Sequence, residues 1–309
     1  MKKKNILVVL GGTSKERKVS LDSGRACIKS IKRLGYKVKT FDPAEHHLTK
    51  INKDKTDIIF NALHGKDGED GTAQSYFEYL KIPYTHSGVI ASMYAMDKII
   101  SKKIFKYNKI NTPKYFAIDN TELKQKNLKV LIKKYKITFP IVVKPSDEGS
   151  SIGVKICNNF NILKKEFFSL KKKYKTLIFE KYINGQEIQV AVMNGKALGA
   201  IELKPKRSFY DYKAKYSKSA KTSHIMPANI SKKKYVEVLK IAEKTHKIFK
   251  CSGVTRSDFK FFNNKFYLLE INTQPGMTNL SLVPEIANYA GVQFDILVKK
   301  LILDAKINK

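Results

Sequence analysis

The chain has 309 residues, of which 42% are hydrophobic, with 16 Gly, 9 Pro and 3 Cys. This composition excludes a disordered chain, a collagen-like repeat and a disulfide-rich scaffold, and the length allows two or three domains. Lys and Arg outnumber Asp and Glu by 60 to 27, so a nucleic-acid or anionic-membrane partner has to be considered.

The make-up of the positive charge argues against nucleic-acid binding. Only five of the 60 basic residues are Arg, the side chain that makes bidentate contacts with phosphate and guanine. The lysines are spread along the chain in short runs on the polar faces of predicted helices. We therefore expect solvated helix faces, with neither a nucleic acid nor a membrane as partner.

The N-terminal apolar run, residues 6–10, is too short for the hydrophobic segment of a signal peptide and ends at Gly11. No uncharged stretch approaches the ~20 residues that a membrane helix needs. The three cysteines form neither a disulfide pattern nor a metal-binding pattern. We therefore expect a reduced, cytoplasmic protein.

The first 95 residues alternate predicted strands and helices. Strands are predicted over 6–10, 37–41 and 57–63, with a helix that ends at Gly35 between the first two. A second helix is expected over 72–80. This βαβ order predicts a parallel sheet and therefore an α/β fold.

A second unit begins with a lysine-rich helix over 96–109, followed by a helix around 123–135 and a strand over 140–144. Beyond residue 180 the pattern changes to α+β. Two strands between 186 and 203, a polar loop, a helix over 232–249 and a hairpin over 257–272 precede the C-terminal helices. We predict domains at 1–95, 96–180 and 181–309, with a lid loop over 206–221.

A Gly- and Ser-rich stretch, residues 144–153, follows a predicted strand. Small residues let backbone N–H groups approach a phosphate, and Lys144 adds a positive charge. The stretch lacks the Walker A pattern. A plain hairpin turn is an equally good interpretation of this stretch taken alone.

Three oxygen ligands fall on the predicted hairpin. Glu270 and Asn272 lie two residues apart on one strand and share a face, and a three-residue turn at 263–265 places Asp258 opposite Glu270. Two carboxylates and an amide suit Mg²⁺. The alternative is a hairpin with solvated polar residues, which explains poorly why acids cluster on one face of so lysine-rich a chain.

Three further segments have a structural as well as a functional interpretation. Residues 274–278 follow the acidic strand and offer the Gly276 N–H to an oxyanion, although a plain turn is the better interpretation of that segment alone. The aromatic and charged loop 209–216 is typical of a lid or of a disordered segment. Residues 64–71 follow a strand's carboxyl end, where open α/β sheets bind ligands.

Together these segments resemble the D-alanine:D-alanine ligases of the ATP-grasp superfamily. The resemblance covers nearly the whole chain in the family's order and spacing: Gly11, Gly12, Ser14 and Glu16, then 19–21, 64–71, 95–98, 144–153, 210–216, 270–278 and 281–284. It implies three domains, with ATP between the antiparallel sheets of the central and C-terminal ones. One departure is His86, where the family usually has Gly; we expect a surface histidine without a role.

The resemblance implies a set of nucleotide and metal contacts. Lys98 and Lys144 would hold ATP phosphates, Ser150 and Ser151 would cover them, Lys215 would reach the transferred phosphate, Glu180, Lys181 and Ile183 would contact adenine, and Glu187 the ribose. Two Mg²⁺ ions, or Mn²⁺, would bind Asp258, Glu270 and Asn272.

It also implies a substrate site for two D-alanine molecules. Glu16 would hold the first ammonium, Arg256 and the Gly276 N–H the reacting carboxyl, and Ser281 with Leu282 the second carboxylate, with His64 in the same site. Tyr216, Ser150 and Glu16 would form a hydrogen-bonded triad that ties down the lid.

The implied reaction is ATP-dependent formation of D-alanyl-D-alanine through an acyl phosphate, for peptidoglycan precursor synthesis, by a homodimer. In the family a Tyr at the position of Tyr216 accompanies D-alanine as second substrate, whereas Phe accompanies D-lactate. The alternatives are a D-alanine:D-lactate ligase or another ATP-grasp carboxylate–amine ligase. A basic nucleic-acid-binding protein is the alternative that is not an enzyme.

Overall fold

The computed structural model describes residues 4–119, 125–204, 222–278 and 280–307, with the backbone alone for 125–127. The strands are β1 (Asn5–Val9), β2 (Lys37–Phe41), β3 (Ile58–Asn61), β4 (Tyr115–Asp119), β5 (Ile141–Pro145), β6 (Lys155–Cys157), β7 (Thr176–Lys181), β8 (Gln186–Met193), β9 (Lys196–Lys204), β10 (Ser223–Ile225), β11 (Val254–Phe262) and β12 (Lys265–Asn272).

The helices are α1 (Arg17–Arg33), α2 (Thr72–Leu80), α3 (Val89–Met96), α4 (Lys98–Tyr107), α5 (Gln125–Lys134), α6 (Phe160–Lys171), α7 (Lys232–Ile248), α8 (Leu282–Tyr289) and α9 (Phe294–Leu303), with short 3-10 turns at Leu48–Lys50 and Lys53–Lys55. None of the helices in the described residues is long and apolar enough to cross a membrane.

The N-terminal sheet is parallel, in the order β2-β1-β3, as the βαβ pattern predicts. Its central strand is buried on both faces. Ile6 and Val8 pack in the same core as residues of α1, whereas Leu7 and Val9 pack with residues of α2. Helices on both faces of a parallel sheet explain why this strand is a continuous apolar run.

The central sheet is antiparallel, in the order β4-β7-β5-β6. Ile141 and Val143 of β5 and Phe179 of β7 are fully buried against apolar side chains of α6. Val142 and Lys144 of β5 and Glu180 of β7 line a cleft. Alternation along these strands therefore separates a core from a polar wall.

The third sheet is antiparallel, in the order β10-β9-β8-β11-β12. One face is apolar: Ile188, Val190 and Val192 of β8 share a core with residues of α7. The opposite face carries Glu187 on β8, which pairs with Lys260, and Asp258 on β11, which pairs with Gln189. The polar faces of the central and third sheets line one cleft between them.

The β11–β12 hairpin has the predicted pairing of Asp258 with Glu270, but its turn differs from the predicted one. Asp258 lies opposite Glu270, as expected, but the turn has two residues, Asn263 and Asn264, both with positive φ. A β-bulge between Asp258 and Phe259 restores the alignment. The three-residue turn was wrong because two Asn residues readily adopt the left-handed conformation of a tight hairpin turn.

The helix expected over 96–109 starts later than predicted. Asp97 separates α3 from α4, and its side chain accepts hydrogen bonds from the backbone N–H groups of Ile99 and Ile100. An aspartate in this position is a favourable helix N-cap. Lys98 is therefore the first residue of α4.

The expectation of a surface position for His86 was wrong. The side chain is buried at 2% exposure, Nδ1 lies 3.0 Å from Thr85 Oγ1, and the ring packs edge-on against Phe60. Its φ is 67°, in the region that favours glycine, which agrees with the glycine usual there in the family that the sequence resembles. Gly253 packs against its backbone, since a Cβ there would lie 3.2 Å from His86 Cα.

Candidate active site

Two neighbouring cavities bring most of the sequence-predicted residues together. The larger encloses about 800 Å³, open to solvent, and is lined by Lys144, Ser151, Glu180, Lys181, Ile183, Glu187 and Asp258 among others. The smaller encloses about 530 Å³ and is lined by Glu16, Ser150, Arg256 and Asn272 among others. Lys98 and Glu270 line both cavities, so the two spaces meet at this pair.

Glu180 is the carboxylate at the base of the larger cavity, and it lies between two lysines. Its Oε2 lies 3.1 Å from Lys144 Nζ, and its Oε1 lies 3.1 Å from Lys102 Nζ. Burial acts to raise the pKa of Glu180, but the two ammonium groups outweigh it and lower that pKa. Glu180 is therefore an ionised group inside the protein.

Lys98, at the junction of the cavities, is also buried. Its Nζ donates to the backbone carbonyl of Glu148 and lies 3.9 Å from Glu270 Oε2. Burial lowers the pKa of Lys98, and the nearby carboxylate of Glu270 opposes that shift. An ammonium at this position faces both spaces and suits an anion placed between them.

The predicted metal ligands share one end of the cleft. Asp258 and Glu270 are partners across β11 and β12, and Asn272 lies opposite Arg256. Arg256 donates to Asp258 through Nε at 2.7 Å and Nη2 at 3.0 Å. Within the described residues these two acids are not part of any cluster of three or more His, Cys, Asp and Glu, so a cation here would rely on the amide of Asn272 as well.

Glu16 and Ser150 join the N-terminal unit to the loop after β5. Glu16 immediately precedes α1, and its Oε2 accepts a hydrogen bond from Ser150 Oγ. Gly149 leaves room for this contact, because a Cβ on it would lie 2.6 Å from Glu16 Oε1. Ser150 and Ser151 both have positive φ, at 49° and 60°. Such conformations cost of order 1 kcal/mol each, so contacts such as this one must hold the loop.

His64 lies beside the smaller cavity with both ring nitrogens engaged. Nδ1 lies 2.8 Å from Glu69 Oε1, and Nε2 lies 3.1 Å from Ser23 Oγ. Burial acts to lower the pKa of His64, but the hydrogen bond and the charge of Glu69, together with the charge of Glu16, raise it overall. Glu69 is a lining residue of the cavity, whereas the predicted residue His64 stands next to it.

Gly276, Ser281 and Leu282, which were predicted for the substrate site, do not line either cavity, but Gly276 and Ser281 lie close together. Ser281 Oγ accepts from the Thr278 N–H at 2.9 Å, and a Cβ on Gly276 would lie 2.8 Å from the same oxygen. Ser281 precedes α8, and Leu282 is its first residue, buried in the core. The N-terminus of a helix favours an anionic group.

Several residues of the site were not predicted from the sequence. Lys260 Nζ lies 3.0 Å from Glu187 Oε2, Lys102 contacts Glu180, and Glu69 contacts His64. Lys102 follows Lys98 by four residues on α4, a spacing that places both on one helix face and was a usable signal. Lys215 and Tyr216, predicted for the lid, lie outside the described residues.

Comparison with known proteins supplies the family. A model described as the C-terminus of D-ala D-ala ligase matches residues 104–303, and one described as the N-terminus matches residues 39–87. The chain is 55% identical over 306 residues to a D-alanine--D-alanine ligase of Pelagibacter ubique, with 99% of each chain covered. It is 42% identical to the enzyme of that name from Rickettsia felis, over 98% of this chain and 92% of the relative.

Solved structures agree over the same length. A D-alanine--D-alanine ligase from Bacillus anthracis superposes with a TM-score of 0.87 at 35% identity, covering 97% of each chain. A crystal structure of that ligase complexed with ATP gives a TM-score of 0.82 at 33% identity, covering 98% of this chain and 97% of the other. The chain therefore belongs to the D-alanine–D-alanine ligase family, with the ATP-grasp fold.

Proposed function

We propose that the chain joins two D-alanine molecules at the expense of ATP and releases D-alanyl-D-alanine, ADP and phosphate. The observation that carries the proposal is the meeting of the two cavities at Lys98 and Glu270. A nucleotide in the larger cavity would present its terminal phosphate to an amino acid in the smaller one. The family relationship supports the same assignment.

The larger cavity suits a nucleoside triphosphate. Lys144 and Lys98 supply positive charge for phosphates, and Ser151 lines the wall of the loop beside them. Glu180, Lys181 and Ile183 would surround the adenine, and Glu187 would accept hydrogen bonds from the ribose hydroxyls. These groups come from facing sheets, so the nucleotide would lie between them.

The smaller cavity suits an amino acid with both its charges. Glu16 would bind the ammonium of the first D-alanine, and Arg256 its carboxylate. The Gly276 N–H would stabilise the oxyanion that forms on this carboxyl carbon. Ser281 and Leu282, at the N-terminus of α8, would bind the carboxylate of the second D-alanine. His64 would fix the position of Glu69 in the cavity wall.

The donor set fits a hard divalent cation such as Mg²⁺. Asp258, Glu270 and Asn272 offer oxygen atoms on one face of the hairpin, and all three line the joined cavities. When bound, Mg²⁺ or Mn²⁺ would neutralise charge on the phosphates of ATP. Asp258 would have to give up Arg256, its partner in this structure.

The chemistry explains why two cavities must join. A carboxylate does not condense with an ammonium near neutral pH, because it is a poor electrophile. Transfer of the γ-phosphoryl group to the first D-alanine gives an acyl phosphate, which the amine of the second D-alanine attacks, with phosphate as the leaving group. Water would destroy the acyl phosphate, so the site must close. The hydrogen bond from Ser150 to Glu16 would close one side of the smaller cavity.

We also propose that the chain has three domains, residues 1–95, 96–180 and 181–309. Each range contains one of the three sheets, except that the last residue of β7, Lys181, falls just beyond the second range. The proposed consumption of ATP supports a location in the cytoplasm, for a step of peptidoglycan precursor synthesis. A homodimer is supported by apolar side chains that α2 and α3 expose to solvent: Tyr79, Ile90, Met93 and Tyr94.

The experiment is an assay of phosphate release from ATP and Mg²⁺ with and without D-alanine, with mass analysis of the product. We expect release that depends on D-alanine and yields the dipeptide. Release without D-alanine, or no dipeptide, would overturn the proposal. In a mixture of D-alanine and D-lactate at pH 7 we expect mainly the dipeptide; mainly the ester would make the chain a D-alanine:D-lactate ligase.

A further inference from the structure

Lys102 is a lysine whose side chain is completely buried, on the far side of Glu180 from the nucleotide cavity. Its Nζ lies 3.1 Å from Glu180 Oε1 and donates to Thr112 Oγ1 at 2.7 Å. The ring centroid of Tyr115 lies 5.5 Å from the same nitrogen. A buried ammonium is costly unless it is paired, so these contacts hold the charge in place.

Glu180 therefore has one lysine on each side, and the two lysines differ in position. Lys144 lines the cavity, where it can turn towards a ligand. Lys102 has no exposed surface and sits behind the carboxylate. If Lys102 were absent, Lys144 would be the only ammonium group within 4 Å of the Glu180 carboxylate in the described part of the chain.

Phosphate binding by Lys144 competes with its ion pair to Glu180. The ammonium of Lys144 can serve ATP fully only if another group neutralises the carboxylate that it leaves. Lys102 is placed to do so from behind. The three groups together carry a net charge of +1, and loss of Lys102 would reduce this to zero next to the phosphates.

We infer that Lys102 is a positioning residue for ATP: by neutralising Glu180 from behind, it frees Lys144 to bind the phosphates. The inference rests on the proposed nucleotide site. It assigns a role to a residue that touches neither substrate. Lys102 thus acts on affinity for ATP and leaves the binding of D-alanine unaffected.

The test is calorimetric titration of the full-length chain with ATP and Mg²⁺ in the absence of D-alanine. We expect Lys102→Met to raise the dissociation constant for ATP by about tenfold or more, because the charge pair it breaks is buried. The matched control is Lys103→Met, which removes the same charge from the next residue of α4, where the side chain is exposed. This control should change the dissociation constant by less than about twofold.

A double variant separates positioning from a merely structural role. If Lys102 acts through Glu180, Lys102→Met should change ATP affinity by less than about threefold in a Glu180→Gln background, where no carboxylate needs neutralising. If the single variant does not fold, the double variant is compared with Glu180→Gln alone, and a loss of ATP affinity of more than about threefold in that comparison would overturn the inference. A structural lysine would instead lower the melting temperature and leave ATP affinity unchanged, and that result would overturn the inference, as would an equal loss of affinity in both backgrounds.

Lys144→Met distinguishes failure of this inference from failure of the nucleotide site itself. We expect this variant to lose most of its ATP affinity. If it binds ATP normally, the proposed nucleotide site is wrong, and the inference fails with it. If Lys144→Met loses affinity and Lys102→Met does not, the site stands and the inference alone is overturned.

Discussion

The guanidinium of Arg256 makes two hydrogen bonds to the carboxylate of Asp258, two residues along β11, at 2.7 and 3.0 Å. Arg256 lines the smaller cavity and Asp258 the larger, so this ion pair crosses the boundary between the proposed amino-acid and nucleotide sites. A cation bound to Asp258 would compete with Arg256 for the same oxygens. Release of Arg256 would in turn make its donors available to a substrate carboxylate.

We predict that Asp258→Asn weakens Mn²⁺ binding in the presence of ATP by at least about tenfold and lowers kcat by at least about a hundredfold, because a charged ligand is lost. Electron paramagnetic resonance of free Mn²⁺ measures the first effect, and dipeptide formation at saturating metal the second. The matched control is Asp22→Asn, an exposed aspartate on α1. Normal Mn²⁺ affinity in Asp258→Asn would contradict the metal assignment.

The contact between Gly149 and Glu16 gives a steric prediction. A Cβ at residue 149 would lie 2.6 Å from Glu16 Oε1, so Gly149→Ala must displace that carboxylate from Ser150. We expect the KM for D-alanine to rise by about tenfold, since the proposed ammonium-binding group is displaced.

Calorimetric titration with ATP is the internal control for this variant, and the dissociation constant should stay within about twofold of the unmodified chain. Ser150→Ala provides a comparison that loses the hydrogen bond without added volume. A Gly149→Ala enzyme with an unchanged KM for D-alanine would show that Glu16 does not bind the substrate.

Many elements of this fold could be predicted from local sequence, because they have a clear local pattern, whereas α3 and α6 were not predicted. The parallel strands β1 and β3 are apolar runs, and the helix predicted over 72–80 is α2. The opposition of Asp258 and Glu270 was also predicted, although by an incorrect turn. The bulge that corrects it depends on how β11 fits between β8 and β12, which no local pattern reveals.

The buried positions of two polar side chains near the site could not be predicted from the sequence. His86 was expected on the surface because a lone polar residue usually is, yet it packs between Thr85, Phe60 and the backbone at Gly253. The spacing of Lys102 from Lys98 predicts that the two share a helix face, but it does not distinguish Lys102 as buried in a chain with 60 basic residues. Only the tertiary structure shows that its charge is buried against Glu180.

The exposed apolar side chains of α2 and α3 predict a dimer interface. Charged substitutions there should separate the subunits, because apolar surface would no longer be buried. We expect Tyr79→Glu combined with Met93→Glu to shift the sedimentation coefficient from that of a dimer to that of a monomer. Tyr107→Glu is the matched control, since Tyr107 on α4 is 89% exposed and lies outside this patch. An unmodified chain that sediments as a monomer would contradict the proposed homodimer.

His246 predicts how stability depends on pH. The side chain is buried on α7, and Nδ1 lies 2.9 Å from Thr255 Oγ1. Burial lowers the pKa of His246 to about 4, a shift that the charge of Asp304 opposes in part. In the unfolded chain a histidine titrates near its ordinary pKa of about 6.5.

Between about pH 4 and pH 6.5, His246 binds a proton in the unfolded chain but not in the folded chain. The free energy of unfolding should therefore be constant with respect to this group above about pH 6.5, and decrease as the pH falls towards 4, by at most about 3 kcal/mol. His246→Gln removes the titration, so the difference in unfolding free energy between the unmodified chain and this variant should shrink between pH 7 and pH 5. Urea unfolding at the two values measures it. His46→Gln, at an exposed position, should keep the full pH dependence. A difference between the unmodified chain and His246→Gln that does not change with pH would show that His246 titrates normally in the folded protein.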